Sequence, residues 1–317
     1  MIDVIIPAYN AHDTIDQTLA SIAFQNIAKD LNVYIVNDCS KENYSEYIDF
    51  YSKFMNVKEL TLEKNSGPGQ ARQYGIDNSN SDYLIFIDSD DVFADTNAIN
   101  SIYQTLLHSN ADIAVSTFLE ELENTFIPNT IQYVWMHGKM YRRSYLNNNN
   151  IRFNETYVNE DCGFNQLCYM CGANYIELSK TTYIWRNNNG SLTRTRTIEA
   201  NTRYLKMFIH NMLWSIEEAL KRDCNKERVS EIIYGTTVAS YHYYLQNQEF
   251  FHKEEMLDKL VPLIKYHHKY PITDQQRLVI IKNQINSESS GPDLLKVYNP
   301  SITLNEFIKM LEKKVGV

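Results

Sequence analysis

The chain has 317 residues, 44% of them hydrophobic and 22% charged, with a formal net charge of −9. That is enough apolar residue for one large core or two smaller ones and excludes a disordered chain, while the acidic balance argues against a general polyanion binder. The apolar run at Met1–Pro7 is too short for a signal peptide and no stretch approaches a membrane span, so a cytosolic chain is expected, with at most peripheral contact to a membrane.

Asp3–Pro7 reads as a first strand, followed by a helix carrying Ile15, Leu19, Ile22 and Ala23 that Asp13 can cap. Val33–Val36 is a second apolar run and ends in Asn37-Asp38; a helix around Tyr47–Phe54 leads to a third strand, Val57–Leu62. Asn65–Gly69 breaks the chain before a short helix, Gln70–Asn78, and a fourth strand, Tyr83–Ile87, stops abruptly in Asp88-Ser89-Asp90-Asp91. Strands separated by helical patterns indicate βαβ units, whose right-handed crossovers bring successive strand ends to one edge of a parallel sheet. Ligands bind at that edge, so Asp38 and Asp88 are expected to face one crevice.

While the chain stays extended, Asp88 and Asp90 project to the same side, an arrangement suited to Mg2+ or Mn2+ on a substrate diphosphate. The competing reading is that Asp90, Asp91 or Asp95 caps the helix suggested by Ala98, Ile99, Ile102, Leu106 and Leu107. The glycines of Asn65–Gly69 permit close approach of backbone to a phosphate, although the segment is neither a Walker loop nor a dinucleotide fingerprint. Arg72, one turn further on, either faces a nucleotide or forms a surface ion pair with Asp77 or Asp82.

Taken together, Ile5-Ile6-Pro7-Ala8-Tyr9-Asn10, Val36-Asn37-Asp38-Cys39-Ser40, Asn65-x-Gly67-x-Gly69-x-Ala71-Arg72 and Asp88-Ser89-Asp90-Asp91 stand in the order and spacing of family 2 glycosyltransferases. The chain resembles that family over about its first 100 residues. The resemblance implies an α/β fold of the GT-A type: a Rossmann-like, mostly parallel central sheet flanked by helices, joining a nucleotide-sugar-binding half (1–118) to an acceptor-binding half (119–198). It also implies that Pro7, Ala8, Tyr9, Asn10 and Asp38 surround the nucleotide base. Gly67 and Arg72 would approach the nucleotide, and Asp88, Ser89 and Asp90 would handle ribose and metal, Asp88 and Asp90 being the metal ligands.

Ala111–Ser116 is a further strand, and the acidic, patternless Glu120–Pro128 reads as an excursion from the sheet. Trp135-Met136-His137-Gly138-Lys139-Met140-Tyr141-Arg142-Arg143 is similar to the family's Trp-x-Lys-x-Tyr-Arg-Arg segment with one extra residue, Lys139 being placed to steer acceptor or phosphate. Arg142 and Arg143 otherwise read as a solvated basic turn, and His137 as a packed or hydrogen-bonded wall residue. Asn159-Glu160-Asp161 opens a helix through Phe164, Leu167, Cys168 and Cys171. By position alone Asp161 serves equally as a helix cap or as a catalytic carboxylate, and the resemblance makes it the base. Cys162, Cys168 and Cys171 read as buried thiols rather than zinc ligands, because no histidine lies near, and an odd total of five cysteines does not suggest a disulfide framework.

Asn174–Leu178 and Thr182–Trp185 are expected to return as strands. Arg186 to Arg194 is similar to the family's Arg-x(4)-Ser segment near the pyrophosphate, with Arg186 and Ser191 as its donor contacts and the loop as a lid. From about residue 199 to 317 the periodicity is helical, and Thr303–Glu306 forms a capping box before Phe307 and Leu311. This all-helical C-terminal region is a candidate surface for an acceptor, a membrane or a second copy of the chain.

The resulting expectation is an inverting, metal-dependent transfer of a sugar from a nucleotide-sugar donor, a UDP-sugar, to a glycan or polymer hydroxyl. A nucleic-acid acceptor would have Arg142, Arg143, Arg152, Arg194 and Arg196 as its cations. The rival classes are a sugar-nucleotide-binding module without turnover and a sugar nucleotidyltransferase. The latter usually opens with a Gly-rich basic loop, which Ile6–Asn10 is not.

Overall fold

The structure is a computed structural model and describes residues 1–123, 125–131, 133–188, 198–246, 248, 256–280 and 302–316. The chain divides into two units, the first Met1–Cys168 with Ala173–Thr195 and the second Tyr169–Gly172 with Arg196–Val317.

The first unit is built on a nine-stranded sheet in the order β3-β2-β1-β4-β8-β6-β9-β5, with β7 paired to β6. The strands β1 (Ile2–Ala8), β2 (Leu31–Asn37), β3 (Asn56–Thr61) and β4 (Tyr83–Phe86) are mutually parallel, as their intervening helices α1 (Ile15–Ala23), α2 (Ser45–Tyr51) and α3 (Pro68–Asp77) require. Every residue of β1 is buried, because both faces of the sheet are covered. Val4 and Ile6 join Ile15 and Leu19 of α1 and Ile99 and Ile102 of α4 (Ala98–Leu107) in one cluster. Ile5, on the other face, meets α3 where Gly75 lets the helix approach: an added Cβ would lie 2.5 Å from Ile5 Cγ2.

Beyond β4 the sheet is mixed. The strand β8 (Lys139–Arg142) runs antiparallel to both β4 and β6 (Ile113–Leu122); β9 (Tyr175–Trp185) is parallel to β6, and β5 (Val92–Phe93) is antiparallel to β9. The acidic segment after Ser116 is not an excursion: β6 continues to Leu122 and turns back into β7 (Thr125–Asn129) as an antiparallel hairpin. Register rather than side-chain alternation holds this hairpin, since every residue of β7 is exposed or half-buried. Likewise the two expected strands Asn174–Leu178 and Thr182–Trp185 form one continuous strand, irregular near Ser116 and Thr117 of its partner.

The solvated basic turn expected at Arg142-Arg143, at the start of α5 (Arg143–Asn148), is instead a pair of internal clamps. Arg142 donates to the carbonyls of Leu106, Ser109 and Ala111 at 2.8, 3.0 and 2.9 Å, and Arg143 to those of Ile76 and Ser81 at 2.8 and 2.6 Å. Arg143 also pairs at 2.8 Å with Asp3, a fully buried carboxylate at the start of β1. A buried ion needs such a partner, and Asp3 takes further bonds from Ser81 N and Oγ.

The second unit is helical where described. It contains α7 (Ile198–Lys221), α8 (Lys226–Gln246), two short helices at Met256–Lys259 and Val261–Lys269, and a helix at Leu304–Val315 that starts with the expected Thr303–Glu306 capping box. Contrary to expectation, Cys171 and Cys224 form a disulfide. Gly172 turns the chain with φ +92°, and the Asn225 N–H bonds the Met170 carbonyl at 3.0 Å, so the two cysteines are brought side by side across 53 residues of sequence. Cys162 and Cys168 are buried free thiols, as expected. Among the described residues no helix is long and apolar enough to cross a membrane.

Candidate active site

The carboxyl ends of β1, β2 and β4 bring Ala8, Asp38 and Asp88 to one edge of the first unit. Pro7 and Ala8 are buried, Tyr9 is 53% exposed, and Asn10 takes a left-handed φ of +50°. The turn is fixed across the edge: Asn10 N donates to Ser40 Oγ at 2.9 Å and Lys41 N to Asn10 Oδ1 at 3.0 Å. Asp38, also buried, accepts from Ser66 N at 2.7 Å and Gly67 N at 2.8 Å. Burial pushes its carboxyl upward and these two amides pull it down.

The glycines after Asn65 therefore have a measurable structural task. Gly67 has φ +86°, and a Cβ on it would sit 2.8 Å from Tyr157 Cδ1; a Cβ on Gly69 would sit 2.7 Å from Glu160 Cγ. The close approach they permit is to the chain's own residues 154–160, which brings the start of α6 (Glu160–Met170) against the start of α3.

Arg72 lies in that seam. It is 3% exposed and reaches Asp88 through Nη2 and Glu160 through Nη1, both at 2.5 Å, so it forms neither of the surface pairs expected with Asp77 or Asp82. The following residue, Asp161, accepts from Cys162 N at 2.8 Å. Burial raises its carboxyl above the ordinary range against the pull of Arg72 and that amide.

The strand geometry that would align Asp88 with Asp90 ends early. β4 stops at Phe86, and Asp91 N bonds the Asp88 carbonyl at 3.1 Å, so residues 88–91 form a turn and the two-residue alternation is lost. Asp90 accepts from Asn188 Nδ2 at 2.9 Å, and Ser89 is half-buried in the turn. Asp91 swings inward and accepts from Tyr183 Oη at 2.5 Å and Arg186 N at 2.8 Å. It caps no helix; Asp95 bonds Asn97 N at the start of α4 instead.

Among the described residues the group able to share a cation is Asp88, Asp91 and His137, with one ligand atom from each within 4.8 Å of the others. His137 stacks on Tyr183 at 4.9 Å, as expected of a wall residue, and its Nδ1 is buried without a hydrogen-bond partner. Burial lowers its pKa to about 4, so the ring is neutral at physiological pH and one nitrogen keeps a lone pair. Two carboxylates and a neutral imidazole fit a divalent ion such as Mn2+.

Two other expected donor contacts lie elsewhere. Lys139 is fully buried on β8 and donates from Nζ to the Trp135 carbonyl, leaving no surface with which to meet a phosphate; burial lowers it to about 7. Arg186 pairs with Glu121 at 2.6 Å and donates to Gln17 at 2.7 Å. Residues 189–194 of the expected lid, Ser191 among them, fall outside the described residues. From sequence Asp91 reads as a helix cap and His137 as a wall residue, neither as a ligand, and Glu160 has no role of its own. The signals available were the adjacency of Glu160 to Asp161 and of Asp91 to Asp90; the hydrogen-bond and packing partners of all three come from distant segments.

A mixed sheet with one reversed strand between β4 and β6, and carboxylates gathered at the ends of the parallel strands, defines a GT-A fold. The sequence profile described as glycosyl transferase family 2 matches residues 3–163, and the chain belongs to that family. It is 27% identical over 226 residues to the glycosyltransferase GlyA of Streptococcus pneumoniae, covering 62% of this chain and 32% of that protein. It is 28% identical over 199 residues to the poly(ribitol-phosphate) beta-N-acetylglucosaminyltransferase TarS of Staphylococcus aureus, covering 57% and 35%. The chain thus spans about a third of the length of these curated relatives. The crystal structure of TarS 1–349 with UDP-GlcNAc superposes with a TM-score of 0.68 at 20% identity, over 94% of this chain and 91% of that one. A mannosyltransferase from Pyrobaculum calidifontis, in complex with GDP-Man and Mn2+, gives 0.55 at 11% identity over 99% and 86%.

Proposed function

We propose that the chain transfers a sugar from a UDP-sugar to an acceptor hydroxyl in the synthesis of a cell-wall polymer or other surface glycan, by one inverting displacement that depends on Mn2+ or Mg2+. The observation that carries this reading is Arg72. One buried cation ties Asp88, at the strand end suited to a donor diphosphate, to Glu160, beside the carboxylate suited to act as base. The UDP-GlcNAc complex of TarS and that protein's poly(ribitol-phosphate) beta-N-acetylglucosaminyltransferase activity support a UDP-sugar and a cell-wall acceptor; the Mn2+ of the mannosyltransferase supports the metal.

In this reading Ala8, Tyr9 and Asp38 flank the nucleotide base, and Asp88 with Ser89 holds ribose and diphosphate. Asp88 is common to both candidate ligand sets, with Asp90 or with Asp91 and His137. A divalent cation held there supplies Lewis acidity toward the leaving diphosphate. Asp161 accepts the proton of the acceptor hydroxyl as its oxygen bonds the anomeric carbon. The bond from that carbon to the diphosphate oxygen breaks, and the nucleoside diphosphate leaves with the electron pair. A single displacement converts an α-linked donor to a β-glycoside without a covalent enzyme intermediate.

The test is UDP release from a panel of UDP-sugars with Mn2+. Release that disappears with chelator and in Asp161→Asn, while that variant still binds UDP, supports the proposal. Donor binding without turnover would identify a binding module, and pyrophosphate release from a nucleoside triphosphate would identify a nucleotidyltransferase.

A further inference from the structure

We propose that Glu160 is a positioning residue that sets, through Arg72, how strongly Asp88 holds a divalent cation, and so couples the start of α6 to donor binding. This rests on the donor-site reading above. The two carboxylates that share Arg72 are unequal: the Glu160 side chain is 6% exposed and that of Arg72 4%, whereas that of Asp88 is 35% exposed. Glu160 cannot exchange its guanidinium partner for water or ligand, while Asp88 keeps a face toward the crevice.

Arg72 meets each carboxylate through a different terminal nitrogen at 2.5 Å. Its charge is therefore divided, and the three groups together leave one net negative charge for a cation at Asp88 to meet. With Glu160 neutral, Arg72 would cancel Asp88 outright, and an incoming cation would confront an undivided positive charge. Gly69 enforces the arrangement, since its missing side chain is what lets α3 lie against Glu160 Cβ and Cγ. Because Asp161 is the next residue, the same bond also fixes the first turn that carries it.

Mn2+ binding in the presence of UDP is measured by calorimetry for the wild type, Glu160→Gln, Arg72→Gln and the double variant. Glu160→Gln preserves shape and an oxygen that can accept from Nη1, and removes the charge. The expected result is roughly tenfold weaker Mn2+ binding, the order of one charge-assisted hydrogen bond. In the Arg72→Gln background the same change is expected to have no effect. A purely structural role would lower the melting temperature without a selective loss of Mn2+. Equal affinity in wild type and Glu160→Gln overturns the proposal, as does the same loss in the absence of Arg72. A wild-type protein that takes up no Mn2+ with UDP refutes the donor-site reading itself and this proposal with it. If Glu160→Gln fails to fold, Gly69→Ala, which moves Glu160 and leaves every charge in place, is expected to weaken Mn2+ binding in the same direction; unchanged affinity there counts against the proposal.

Discussion

Gly69→Ala isolates the seam between α3 and α6. Its Cβ would lie 2.7 Å from Glu160 Cγ, 2.9 Å from Glu160 Cβ and 3.1 Å from the Asn154 carbonyl oxygen. Carbon atoms prefer about 3.5–4.0 Å, so one element must retreat by about 1 Å. Overpacking of this kind costs about 1–3 kcal/mol, and the better helix propensity of alanine returns up to about 1 kcal/mol. The net loss of stability is therefore on the order of 0–3 kcal/mol, or a few degrees in melting temperature. Activity should suffer more, because a misplacement of about 1 Å between reacting groups can cost about 100-fold. The assay is UDP release at saturating donor and Mn2+, read beside a thermal melt. Gly235→Ala in α8 is the matched control, since the nearest atom to its Cβ is 3.9 Å away. A Gly69→Ala protein with full rate and an unchanged melt would refute the claim that this glycine is required by the contact with Glu160.

Arg143→Ala leaves Asp3 buried without its cation and is expected to cost about 3–5 kcal/mol by denaturant titration, since an unpaired buried charge is left behind. Asp161→Asn should lower kcat by about 10²–10⁴-fold in single-turnover assays. Burial raises the Asp161 carboxyl, so the acid limb of kcat/KM should lie above the ordinary carboxylate range. The rate should fall as pH drops through it, and a limb at or below pH 4, the usual carboxylate region, would contradict the assignment. Replacing both Cys171 and Cys224 by serine should destabilise the second unit by about 2–4 kcal/mol in a thermal melt, with no change in UDP binding.

The first half of the sheet was legible because its signals are local. Uninterrupted apolar runs ending in Asn37-Asp38 and Asp88 mark β2 and β4, and parallel connection places both carboxylates on one edge. What stayed hidden depends on pairing between distant segments. Glu120–Leu122 has no alternating pattern, yet it is paired with Thr125–Ile127 through backbone register, which composition does not encode. The shared ligation of Arg72 joins residues 72, 88 and 160, and no spacing rule connects them. The turn at 88–91, closed by the bond from Asp91 N to the Asp88 carbonyl, ends the alternation that would set Asp88 beside Asp90 and brings Asp91 near Asp88. Cys171 and Cys224 likewise meet through the fold of the second unit.

The two adjacent arginines at the end of β8 carry a consequence for insertions and deletions. Where β8 passes into α5, Arg142 closes the carbonyl end of α4 while Arg143 closes that of α3. A one-residue slip of β8 would send each guanidinium to the wrong face, stranding Asp3 on one side and the carbonyls of Leu106 and Ser109 on the other. The reversed strand is thus keyed in position by two non-interchangeable cations. Length changes should therefore be rejected between Lys139 and Arg143.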